Sequence, residues 1–124
     1  MCSVRYIRNV VYEDNYFANA GSPGGAIHIE SGYQSGHGSS CNASECTDIR
    51  DIVFRNLTFE HSGGTGGFVC FPARPCHNIT LEDVHVMNLG AKSGWGCSDV
   101  ASGRFVDVTP RRESSGNCNF TTST

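Results

Sequence analysis

The run Ala26-Ile27-His28-Ile29-Glu30-Ser31 sets an imidazole and a carboxylate two residues apart with aliphatic residues between them. As a strand it would turn His28 and Glu30 to one face and Ile27 and Ile29 to the other, leaving a donor–acceptor pair for a ligand or for water. Tyr33 and Trp95 lie in glycine-rich stretches, where a ring could stack on a flat ligand or pack locally. Metal chemistry has less support. The seven cysteines and five histidines include no Cys-x-x-Cys pair and none of the histidine spacing that accompanies one in a zinc finger. Asp48 and Asp51 are too few to suggest calcium, which takes 6–8 oxygen ligands. No metal and no cofactor is expected.

What positions these residues is an internal repeat. Asn9-Val10-Val11-Tyr12-Glu13-Asp14-Asn15-Tyr16-Phe17 superimposes on Asp51-Ile52-Val53-Phe54-Arg55-Asn56-Leu57-Thr58-Phe59 and on Asn78-Ile79-Thr80-Leu81-Glu82-Asp83-Val84-His85-Val86. Apolar residues alternate within each copy and slip phase by one at Asp14, Asn56 and Asp83, which is strand periodicity interrupted by a corner. A corner favours Asn or Asp, which tolerate left-handed dihedrals. Glycine-rich bends lead from the first two copies into second strands, Gly24 to Glu30 and Gly66 to Phe71. Strand, corner, strand, bend, strand over about 25 residues is one coil of a parallel β-helix, whose apolar face is buried only by the next coil. An antiparallel β-sandwich also yields short alternating strands, but nothing in it requires Asn or Asp to recur at one register. The expected fold is therefore all-β, a parallel solenoid of about three coils. Residues 1–124 would form one part of a single domain, with 111–124 as a polar tail.

Composition restricts the setting. Nine Lys and Arg against twelve Asp and Glu give a net charge of -3, which argues against nucleic acid and against a polybasic membrane anchor. No apolar stretch approaches the roughly 20 residues of a membrane helix. Seven cysteines and the sequons at Asn42, Asn56, Asn78 and Asn119 point to an oxidising, extracellular compartment. Met1 to Val10 do not read as a leader, so an export signal is expected upstream. Local closures Cys41 with Cys46, Cys70 with Cys76 and Cys97 with Cys118 suit the spacing, although spacing alone leaves connectivity open. Loop entropy assigns each short closure about 2 kcal/mol. Cys2 is left over, and its partner would lie elsewhere.

The paired-cysteine run Gly67-Phe68-Val69-Cys70-Phe71-Pro72 through Pro75-Cys76-His77-Asn78-Ile79-Thr80-Leu81-Glu82-Asp83-Val84, followed by Cys97-Ser98-Asp99-Val100, resembles the last coils of polygalacturonase-like pectin hydrolases, glycoside hydrolase family 28. The resemblance covers roughly residues 4–118. It implies a right-handed parallel β-helix, secretion, N-glycosylation and inverting hydrolysis of galacturonosyl linkages in a pectic or other cell-wall polysaccharide.

The family places its chemistry on earlier coils, in an Asn-Thr-Asp, an Asp-Asp and a Gly-His-Gly, followed by Arg-x-Lys. Inverting hydrolysis sets an acid and a base about 6.5–9.5 Å apart to admit water. Neither acidic motif occurs in this chain, so no catalytic residue is assigned. Gly36-His37-Gly38 spells the histidine motif but falls after the Arg-x-Lys position, inside a Gly/Ser-rich loop. His28 and Glu30 stand where the resemblance places Arg and Lys, and cannot supply the same charge-assisted grip on a carboxylate. His28, Glu30 and Tyr33 are the candidate substrate-binding residues. The expectation is a C-terminal segment of a secreted hydrolase, inactive alone, with the missing N-terminal coils of its parent as a partner. The alternative is a noncatalytic extracellular carbohydrate-binding β-helix.

Overall fold

A computed structural model describes residues 5–18, 25–32, 41–42, 46–87, 94–111 and 117–123. The described residues are strands and connections, with no helix. β1 (Tyr6–Phe17), β3 (Asp48–Phe59), β5 (His77–Val86), β7 (Val100–Thr109) and β8 (Cys118–Ser123) form one five-stranded sheet in that order. β2 (Ile27–Glu30), β4 (Gly66–Val69) and β6 (Gly96–Ser98) form a second sheet of three. Every strand pair is parallel, and the chain alternates between the sheets through its first six strands. This is a parallel β-helix. Three coils contribute to both sheets, and β7 and β8 extend the longer one. Parallel ladders throughout exclude the sandwich.

The repeat dictates this winding through its corners. Asn9, Asp14, Asp51, Asn56, Asn78, Asp83, Asp99 and Asp107 all have positive φ, between 52° and 60°. Among the described residues, every non-glycine with positive φ is therefore Asn or Asp, the types that tolerate this region at least cost. Each of the first three long strands carries two such residues five positions apart and so turns twice without leaving its ladder. The corners also bond across rungs. Asn56 Nδ2 donates to Asp14 Oδ1 at 2.8 Å, and Asn78 Nδ2 donates to Asp51 Oδ1 at 2.8 Å. Alternating amide and carboxylate lets one row donate where its neighbour accepts.

Rows of like residues fill the interior. Val10, Ile52 and Ile79 stack at one register position, and Tyr12, Phe54, Leu81 and Phe105 at another. The Tyr12 and Phe54 rings lie 5.4 Å apart and nearly parallel, and those of Phe17 and Phe59 lie 4.7 Å apart. Above Phe105 the packing changes to edge-to-face. Phe68, Trp95, Phe105 and Phe120 enclose one another, and Trp95 Nε1 donates to the Pro110 carbonyl at 2.8 Å. Gly103 leaves the space into which the Phe120 ring fits. Gly66, at φ 94°, has no room for a side chain because a Cβ would fall on the Ile27 carbonyl.

Disulfides close the connections. Cys41–Cys46 joins the residues ahead of β3, Cys70–Cys76 spans the turn from β4 to β5, and Cys97–Cys118 ties the short sheet to β8, with Cα separations of 5.3, 5.9 and 6.3 Å. Cys2 lies outside the described residues.

Asp48 opens β3 as a buried charge, 2% exposed. Arg8 Nη2 reaches its Oδ2 at 2.8 Å, while Arg50 Nε and Nη2 reach Oδ1 at 3.1 and 3.0 Å. Burial alone would raise its pKa. The hydrogen bonds from Arg8 and Arg50, together with their charges, outweigh that and hold the carboxyl below its ordinary 3.8.

The first coil is different. β1 is an edge strand with exposed apolar side chains, Tyr6 at 62%, Tyr12 at 55% and Tyr16 at 61%. Behind it opens a cleft of about 760 Å³, lined by interior residues including Ile27, Ile29, Ile52, Phe54, Leu57 and Phe59.

Two stability predictions follow from the corners and from Asp48. In unglycosylated protein, Asn56→Ala loses both the amide bond and the left-handed tolerance and is expected to cost about 2 kcal/mol, whereas Asn56→Gly keeps the backbone and costs about 1 kcal/mol. Urea titration of both variants measures the difference. The depressed Asp48 pKa stabilises the fold above its unfolded value, and that contribution disappears as pH falls through the folded one. Asp48→Asn should therefore be less stable at pH near 7 and should lose less additional stability below about pH 4, as thermal melts across pH would show.

Candidate functional site: the outward face of the short sheet

Alternation along β2 turns Ile27 and Ile29 into the core, at 4% and 8% exposure, and leaves His28 and Glu30 facing outward. His28 Nε2 lies 3.6 Å from Glu30 Oε1, with the imidazole side chain 52% exposed and the carboxylate 20%. At successive rungs His28 aligns with Gly67 and Gly96, and Glu30 aligns with Val69 and Ser98. Two glycines follow the imidazole in line, Gly67 buried and Gly96 exposed. A Cβ on Gly67 would lie 2.6 Å from the Gly96 carbonyl oxygen. Ser98 Oγ already donates to the Cys70 carbonyl at 3.1 Å. Among the described residues in these two rows, His28 and Glu30 are thus the polar side chains open to a ligand. Tyr33, the third candidate contact, lies outside the described residues, as does Gly36-His37-Gly38.

Trp95 is not a surface ring. It is 5% exposed and packs against Phe68 and Phe105, so it has no face to offer a ligand.

The sequons occupy different settings. Asn56 and Asn78 are exposed, yet their amides belong to the corner bonds. Asn119 Nδ2 donates to the Ala101 carbonyl at 3.3 Å. Asn42 is exposed, and its carbonyl accepts from the Cys46 amide at 2.9 Å.

A second polar cluster escapes linear inspection. Asp83 and Asp107 occupy the same corner row on β5 and β7. Asp14 and Asp83 have Asn56 between them in that row, but Asp83 and Asp107 meet directly. His85 reaches between them, with Nε2 at 3.0 Å from Asp83 and 3.8 Å from Asp107. One ligand atom from each residue lies within 4.8 Å of the others, a spacing open to a divalent cation. All three side chains are part-exposed, and the imidazole bonds within the cluster. Extending the three-copy repeat over Val100 to Thr109 as a fourth copy would have revealed the cluster.

The comparisons with known proteins agree with the architecture. Residues 2–107 match the family described as Glycosyl hydrolases family 28. The chain is 30% identical over 111 residues to exopolygalacturonase B of Aspergillus niger, covering 82% of this chain and 24% of that protein. The same figures hold for a probable exopolygalacturonase B of an A. niger strain. The chain thus spans about a quarter of the length of these curated relatives. No solved structure matches at a significant level. Parallel coils turned by Asn and Asp corners, the cysteine-closed turn into β5 and the match across residues 2–107 show together that this chain belongs to glycosyl hydrolase family 28.

Proposed function

We propose that the chain is the C-terminal portion of a secreted, polygalacturonase-like hydrolase that cleaves pectic galacturonan with inversion in its intact form, and that the 124 residues alone are inactive. The observation that carries this reading is the first coil, whose apolar interior is open along β1 and β2 in the manner of a solenoid cut between rungs. A further rung at the usual spacing of about 4.8 Å would pair the free edge of β1 and cover Tyr12 and Phe17. Matches reaching only 24% of each relative are consistent with catalytic residues on coils outside this chain. Residues 1–124 are then one part of a single β-helix domain, with residues 111–124 as a polar tail.

In this reading His28, Glu30 and Tyr33 contact the saccharide and the Cys and sequon chemistry reflects export. The pair His28 and Glu30 favours a second reading as well, a β-helix that binds carbohydrate without cleaving it, because the outward face presents hydrogen-bonding groups but only one carboxylate among its described residues. Inverting hydrolysis needs two.

Reducing-end assays on polygalacturonate decide between activity and its absence. The purified chain is expected to release no sugar, and release that disappears in Glu30→Gln or Asp83→Asn would overturn the proposal. Export makes a separate prediction: produced with a signal peptide in a eukaryotic host, the chain should lose mass on enzymatic deglycosylation, and the loss should shrink when Asn42 or Asn119 is replaced by Gln.

A further inference from the structure

We propose that the saccharide unit seated against His28 and Glu30 is uncharged, a neutral hexosyl or a methyl-esterified uronosyl residue, and not a free galacturonate. The inference rests on the reading of this face as a sugar contact and specifies its substrate class. Glu30 presents a carboxylate beside His28 at 3.6 Å. The other described outward positions of the sheet are Gly67, Val69, Gly96 and Ser98, none of them cationic. A sugar carboxylate placed here would meet a like charge with no guanidinium or ammonium among these described positions to pair with, and would give up hydration to do so. Hydroxyl groups face no such penalty. They can donate to Glu30 and exchange hydrogen bonds with His28, and at Gly96, the exposed position two rungs along in the same row, no side chain of its own stands in the way. Val69, level with Glu30 on the next rung and half-buried, offers an apolar neighbour that suits a ring C–H face or an ester methyl better than an ionised group.

The test titrates the full chain near neutral pH with three trisaccharides: free trigalacturonate, its methyl ester and galactotriose. Binding is read from the NMR signals of the His28 ring. The uncharged ligands are expected to bind about tenfold more tightly than the free acid, a difference of the size that one unscreened like-charge contact near a surface produces. Whichever of the ester and galactotriose binds more tightly identifies the source of the uncharged unit. Glu30→Lys should reverse the order in favour of the free acid. Gly96→Leu should weaken all three by placing a side chain on the outward face in line with His28, and it should fold, because a Cβ there meets nothing nearer than the Gly66 carbonyl oxygen at 4.0 Å. Free trigalacturonate binding wild type as tightly as its ester, with the His28 signals moving, would overturn this inference and leave the face as a sugar contact. His28 signals unmoved by all three ligands would overturn both.

Discussion

Register is the constraint on which this molecule depends. In a parallel ladder each residue lies about 4.8 Å from its counterpart on the neighbouring rung, so a side chain spends its contacts on residues of the same row. A row works only if its members are compatible: alike where they are apolar, complementary where they hydrogen-bond. Val10, Ile52 and Ile79 satisfy the first condition, and Asp14 with Asn56, or Asp51 with Asn78, satisfy the second. The left-handed corners are what keep successive coils in phase. Each bends the strand at the same place, so the next coil begins in register with the last.

The same constraint accounts for the polar groups that depart from the repeat. Where an amide should have separated two carboxylates, Asp83 meets Asp107, and the donor comes from His85 two residues along the strand. Where β3 begins inside the molecule, Asp48 is buried, and two arginines on adjacent rungs keep it ionised. In each case a charge that the stack brings indoors or beside its like is matched by a donor from a neighbouring register position, which is the condition for tolerating it.

The two sheets divide the work. The longer one carries corners and most of the core. The shorter one is glycine-rich and tied down by Cys70–Cys76 and Cys97–Cys118 at its ends. The described side chains that project from its outward face are His28, Glu30, Val69 and Ser98.

Much of this was legible in the chain alone. The recurrence of Asn or Asp at fixed offsets foretold the corners, because left-handed backbone is a local preference that a residue type carries with it, and alternation foretold which of Ile27, His28, Ile29 and Glu30 would be buried. Tertiary structure decided what stands beside what. That Asp48 lies between Arg8 and Arg50, that Trp95 is enclosed by Phe68 and Phe105, that Phe120 fills the space left by Gly103, and that the imidazole of His28 lines up with Gly67 and Gly96 all depend on how the connections of unequal length bring distant rungs into phase. Spacing along the chain measures the length of a loop, whereas the neighbour across a ladder is chosen by the register that the whole stack adopts.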